Sequence, residues 1–402
     1  MYATGMGVPR DDAAAFRYTL QAARGGEVTA LGNAGSMHEF GIGTPVDPGE
    51  ALRWYRLAAE KGNVRGFSGL GRAMLTGKGG TAVDPQAAMK WLRPAAEAGD
   101  AAAQMFAAHT LITGSGGVNR DPALAVRWYD AAAREFPALY GDLAVIHANA
   151  AQYGLPPDDA KALAYARKGA DAGDGAAMYL LANAHFKGLG TARDDVAGRR
   201  WIQAAAEAGY APGMYSYALA LYQGRGGAKD ADEGDRWMLK SADAGWAKAQ
   251  YEMAMMLYRG DSPLYKIDKP RAGQYFRRAA EAGNAQAQAS YAFLLQAGDA
   301  GLRADPVAAR DWARRSAEQG EPQGLFNYGQ YLLRGVGGPA DPAGMRQVER
   351  AAEQGHQDAA LHAGRAYRDG DGVRRDPAAA RRWLEKAREL GHPEAAAELA
   401  RL

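Results

Sequence analysis

One short phrase recurs along the chain and restricts what it can fold into. It reads WYRLAAEKG at 54–62, WLRPAAEAG at 91–99, WIQAAAEAG at 201–209, WMLKSADAG at 237–245, WARRSAEQG at 312–320 and WLEKARELG at 383–391. The closing residues run from Gly26 to Gly391, with Phe136 as the only non-glycine, at separations of 36, 37, 37, 37, 36, 36, 38, 37, 35 and 36. Eight residues before each of them stands an aromatic ring, Gln347 excepted, and seven of the eight tryptophans occupy that slot. Self-similarity at a fixed period of this length marks an array of stacked units. The 402 residues are therefore read as one long array in preference to two or three ordinary domains.

Each period reads as two helices. The second opens with Asp-Pro at Asp47-Pro48, Asp84-Pro85, Asp121-Pro122, Asp305-Pro306, Asp341-Pro342 and Asp376-Pro377. Asp accepts the orphan amides of a first turn, and Pro needs no amide hydrogen at the first helical position. The ring and an Ala-Ala pair follow on one apolar face, and glycine supplies the left-handed residue that ends a helix.

The first helix carries a small residue six positions before the glycine that ends it: Gly35, Gly71, Ala108, Ala148, Ala182, Ala218, Ala254, Ala292, Gly329 and Gly364. A side chain of one carbon or none lets a neighbouring helix come close, with the periodic ring expected to fill the adjacent space. Gly-rich links such as GKGG at 77–80 and GVGG at 335–338 join the helices. One such pair cannot bury its own apolar stripe, so pairs must stack. The class is all-α.

The pattern resembles the Sel1-like repeat, a relative of the tetratricopeptide repeat. The eleventh period carries the signature in Gly364, Tyr367, Gly370-Asp371-Gly372-Val373, Asp376, Ala379, Trp383, Ala387 and Gly391. The resemblance spans essentially the whole chain. It implies a right-handed superhelical solenoid of about eleven helix-turn-helix repeats, with a concave groove and a role as scaffold or adaptor. Proteins of this kind are frequent in bacterial cell envelopes, secretion and signalling. On this reading 1–26 is a partial first repeat, 27–391 holds ten complete repeats and 392–402 is a capping helix. Met1 aligns with Met37, so the opening helix reads as cut, which leaves a leader peptide or an upstream anchor undecided. Two periods depart from the pattern. The fifth (137–173) has QYGLPPDD at 152–159 and follows Phe136-Pro137, and the eighth has the long link GDSPLYKIDKP at 260–270.

Composition removes several classes of function. Lys plus Arg total 48 and Asp plus Glu 46, and no basic stripe or tail marks a nucleic-acid binder. The Arg-Arg pairs 199–200 and 381–382 read as solvated faces with their stems packed on neighbouring tryptophan. Without cysteine there is no disulfide, thiolate or Cys-ligated metal. No run of 18 apolar residues is present to span a bilayer.

The seven histidines form no metal-binding spacing, and His38 and His185 read as packing residues. Some Sel1-like proteins are described as β-lactamases, but no Ser-x-x-Lys occurs here. Gly71–Lys78 is one residue too long for a phosphate loop, and Gly79 stands where Ser or Thr should be. Neither a cofactor nor a metal is expected. The expected role is a non-enzymatic scaffold holding a protein or peptide, with oligomeric state open. The alternatives are a hydrolase of cell-wall or β-lactam substrates and a regulator of a membrane partner.

In tetratricopeptide arrays the first helix lines the groove. Carried over, that geometry selects positions three before, one after and four after the small residue. In the sixth to eighth periods these are Tyr179, Asn183 and Phe186; Tyr215, Leu219 and Tyr222; and Tyr251, Met255 and Tyr258. Aromatic pairs seven apart share one face. Earlier periods offer Ser36, Glu39, Arg72 and His109 and the last offers Arg365 and Arg368, so the middle reads as apolar and the ends as polar. The competing reading packs these rings between helices as core.

Overall fold

The computed structural model describes residues 9–402; the opening MYATGMGV, and with it the reading of a cut first helix, lies outside the described residues. Twenty-two α-helices form among the described residues, mostly thirteen residues long, with no strand.

The ends of these helices follow the local chemistry. The Asp84 carboxylate accepts the Ala87 amide at 2.9 Å with Pro85 beginning the helix, and Asp121 and Asp305 repeat the bond to Leu124 and Ala308. First helices close on left-handed glycines such as Gly77, φ 72°. Second helices close on glycines such as Gly99, φ 89°, where an added Cβ would meet nothing within 4 Å. Backbone conformation alone, without crowding, selects glycine there.

The chain divides at Asp194/Asp195 into two compact units, Met1–Asp194 and Asp195–Leu402. In each, successive helices pack as antiparallel neighbours and first helices also pack directly on first helices, as Val28–Phe40 does on Val64–Thr76 and Ala285–Ala297 on Pro322–Arg334. The fold is an α-solenoid of helix pairs.

The close approach at the small residue is real, but its partner is not the periodic ring. A Cβ on Gly35 would stand 2.6 Å from the Tyr55 ring, and one on Gly71 or Gly364 would stand 2.5 Å from Leu92 Cγ or 2.6 Å from Leu384 Cγ. Tyr55, Leu92 and Leu384 each follow the ring by one residue. That next slot supplies many of the fully buried side chains, including Ile202, Met238 and Phe276. The tryptophan is turned one hundred degrees around the helix from it and meets rings and cations of the first-helix layer and its own helix. Tyr217 lies edge-on to Trp237 at 5.7 Å and Tyr291 to Trp312 at 5.7 Å, while Lys240, Arg315 and Arg382 cover Trp237, Trp312 and Trp383.

The fifth period shows a second difference. Its first helix, Leu139–Ala148, stops early, and a 3-10 turn at Ala150–Tyr153 intervenes before Gly154. Counting back from the glycine therefore lands on the exposed Ala148, whereas the fully buried small residue is Ala144. At the other end, Ala395–Leu399 forms a short helix whose Glu398, 3% exposed, accepts from Arg365 at 2.7 Å and from Arg368.

Candidate functional site

The nine residues selected from the sequence divide between the units. Tyr179, Asn183 and Phe186 lie on Gly175–Lys187 in the first, with Phe186 buried and the other two half-buried. The other six lie in the second, on Ala211–Gln223 and Ala247–Arg259, all half-buried. Tyr215, Leu219 and Tyr222 pack against the core that contains Ala218, Met253 and Phe276.

Tyr251, Met255 and Tyr258 come together. They line one wall of a cavity of about 390 Å³ between their helix and the first helices of the next two periods, Ala285–Ala297 and Pro322–Arg334. The floor is Phe276, whose ring is T-shaped to those of Tyr251 and Tyr258, with centroids 6.0 and 6.3 Å apart. Such edge-to-face contacts hold rings rigidly. The opposite wall carries Phe293, whose side chain is 53% exposed.

Two of the tyrosine hydroxyls, those of Tyr222 and Tyr258, have partners within the chain. Tyr258 donates to Asp299 at 2.7 Å, and Lys269 Nζ approaches the same carboxylate at 3.1 Å. These bonds, Tyr258 first and then the Ala300 amide, hold the Asp299 carboxyl down at about 2. Tyr222 donates to the buried Asp235 at 2.8 Å, whose other oxygen accepts from Ser262 of the long link. Burial, then the Asp235 bond, pushes the Tyr222 phenol up. At Tyr222 and Tyr258 the hydroxyl is thus committed within the chain.

The polar ends are tied internally as well. Arg72 pairs with Glu39 at 2.7 Å, and Tyr55 donates to Glu39 at 2.6 Å. His38 sits edge-on to Phe16 at 5.1 Å, a packing role. A Cβ on Gly79 would stand 2.5 Å from the Pro48 carbonyl oxygen, so the link packs closely on the second helix of the preceding period, Pro48–Glu60.

The aromatic register continues for two further periods. The register that selects Tyr251 and Met255 falls on Phe293 in the ninth period and Phe326 in the tenth. A larger cavity of about 650 Å³ lies beside the first, and both are lined by Phe293 and Asn327. Among the described residues no group of three or more His, Asp and Glu is placed to hold a metal ion, and no helix is long and apolar enough to cross a membrane.

The Sel1 repeat family model matches eleven segments, beginning with 1–27 and 29–63 and ending with 322–343 and 357–392. The chain belongs to the Sel1 repeat family, whose repeats generally mediate protein–protein interaction. Among solved structures it is similar to a protective antigen of uropathogenic Escherichia coli that displays an SLR fold, at 29% identity and a TM-score of 0.68, covering 100% of this chain and 86% of that one. A Sel1 repeat protein from Oxalobacter formigenes shares the fold at 24% identity and a TM-score of 0.52, covering 62% of this chain and 96% of that one. No curated protein matches the chain by sequence.

Proposed function

We propose that the protein is a non-enzymatic scaffold that holds an apolar segment of another protein against the first-helix face of its second unit. The observation that carries this reading is the cavity beside Phe293. A large ring stands half in solvent across from Tyr251, Met255 and Tyr258, over a floor of Phe276. Preformed apolar concavities with rigid rings and a soft thioether favour an inserted side chain from a partner, because little conformational freedom is lost on binding. The E. coli relative is described as a protective antigen, which fits a protein that meets other macromolecules.

The test is affinity capture from native cell extract with wild type beside Tyr251→Ala/Phe293→Ala. A protein retained by wild type and lost by the variant supports the reading. Equal retention by both overturns the assigned face, and retention of nothing specific, or turnover in a fluorogenic hydrolase panel, overturns the scaffold role.

A further inference from the structure

In several periods the residue that opens the first helix is an acceptor whose charge does not change near neutral pH. Asn63, Asp100, Asp174 and Asn284 each take the amide three residues on, at 2.7 to 3.0 Å. In the eleventh period the same slot holds His356, whose Nδ1 accepts from the Ala359 amide at 3.2 Å. An amide N–H can only donate, so Nδ1 carries no proton and the neutral ring is protonated at Nε2. Nε2 stands 3.0 Å from Gln323 Oε1 and donates to it.

From Gln323 the bonds run on in one direction. Its Nε2 donates to Asn327 Oδ1 at 2.8 Å, and Asn327 Nδ2 donates to the Ala289 carbonyl at 3.1 Å. Backbone stands at both ends, an amide that can only donate and a carbonyl that can only accept, so every orientation between them is set. The chain of bonds crosses three first helices, Gln357–Asp369, Pro322–Arg334 and Ala285–Ala297. Gln323 and Asn327 also line the apolar cavity beside Phe293.

A proton on His356 breaks this order at one atom. Nδ1–H would face the Ala359 N–H, donor against donor, and a cation would sit at the positive end of the helix. Asp358 on the same helix favours the proton, and His392 Nε2 stands 3.2 Å from that carboxylate. Pro322–Arg334 presents the uncharged Gln323 and the Phe326 ring, 4.8 Å from the imidazole. At the two ends of that helix Glu321 acts on Tyr251 and Arg334 on His362. On Gly344–Glu353, Glu349 accepts from the Tyr367 hydroxyl and Arg350 donates to Gln347. Among the described residues Asp358 is the only charged side chain that acts on His356 itself.

We propose that His356 is a proton-sensitive brace for the apolar cavity, holding the Gln323–Asn327 wall at neutral pH and releasing that wall and the bound segment in mild acid. The regulation rests on the scaffold reading above, and the brace on the hydrogen bonds alone. Burial outweighs Asp358 and pushes the His356 pKa below its ordinary value. The unfolded chain therefore takes up the proton first, and the brace is whole above about pH 6.5 and lost as pH falls below it.

The experiment compares the full-length wild type with His356→Asn, which keeps an acceptor and cannot titrate, and His356→Ala, which has none. Hydrogen exchange relative to intrinsic rates is followed at pH 7.5 and 5.0. At the start of Gln357–Asp369, Ala359 foremost, wild type should exchange about tenfold faster at pH 5.0, His356→Asn equally at both, and His356→Ala fast at both. No acceleration in wild type overturns the brace. Acceleration that persists in His356→Asn also overturns it and assigns the effect to another group such as His362. The cavity is read with a fluorescent 12-residue peptide free of His, Asp and Glu, selected at pH 7.5 from a phage-displayed random library. Wild type should bind it about tenfold more weakly at pH 5.0, and His356→Asn equally at both. Equal weakening in both proteins, or none in either, overturns the regulation. If no peptide is selected, or selection ignores Tyr251→Ala/Phe293→Ala, the scaffold reading falls and the regulation with it, and exchange still decides the brace.

Discussion

Gly71 and Leu92 meet so closely that any side chain on the glycine would overlap the leucine: a Cβ would stand 2.5 Å from Leu92 Cγ and 3.2 Å from the Ala88 carbonyl oxygen. Gly71→Ala should therefore destabilise by about 1–3 kcal/mol through overpacking. Leu92→Ala, at a fully buried position, should cost about 2–5 kcal/mol through the cavity it leaves. Combined, the two should cost less than their sum, because the new methyl enters the space the leucine vacates. Urea midpoints of the four proteins measure this, and strict additivity would refute the contact.

The Asp-Pro openings make a milder prediction. Asp84→Ala removes the acceptor for the Ala87 amide and should cost about 0.5–2 kcal/mol, while Asp84→Asn should retain most of the stability. Thermal melts of both variants distinguish a capping role from a purely charged one.

Glu398 gives the terminal helix an acid sensitivity. Its bond from Arg365, and then that from Arg368, hold its carboxyl below the usual range. A depressed folded value means stability that is present above the unfolded carboxylate value, about 4.3, and lost as pH falls through the lower folded value. Glu398→Gln should lose about 1–2 kcal/mol at pH 7, allowing for the partly exposed arginines, and the gap to wild type should close below pH 4. Hydrogen exchange of Gln357–Asp369 against pH reads it locally.

His147 works in the same direction for a different reason. Neither ring nitrogen has a partner, and the ring stacks on Tyr165 at 5.4 Å. Burial, then Lys161, pushes its pKa below the ordinary value. Here the unfolded chain takes up the proton first, so the contribution is whole above about 6.5 and is lost as pH falls below it. His147→Phe should leave stability at pH 8 nearly unchanged and flatten the loss between pH 7 and 5. A wild-type slope that survives the substitution would assign it to another group.

What could be read from the sequence was chemistry within a turn or two of the chain. Asp-Pro starts and glycine ends are local bargains between a side chain and its own backbone, so they appear in the residues themselves and return in the structure at Asp84, Gly77 and Gly99. The facing of a side chain is different, since it depends on how a helix is rotated within the stack. Leu92, not Trp91, fills the gap at Gly71 because the stack turns that slot inward. Ala148 was displaced by an early helix end that no single residue announces. The shared register of Tyr251 and Tyr258 could be read from their spacing, but the bond from the Tyr258 hydroxyl to Asp299 crosses to a link forty-one residues away, and Phe293 stands one period further along the same register.

The links carry one more implication. Gly79 leans on the Pro48 carbonyl, Gly226 on that of Asp195 and Gly337 on that of Pro306, each with less than 2.6 Å between a notional Cβ and the oxygen. In each case main chain meets main chain about thirty residues apart, and the only identity it demands is one glycine. Neighbouring units can thus diverge at nearly every other position and still be held at the same spacing. Substitutions on the first-helix face can then alter what the surface recognises without altering how the array is built.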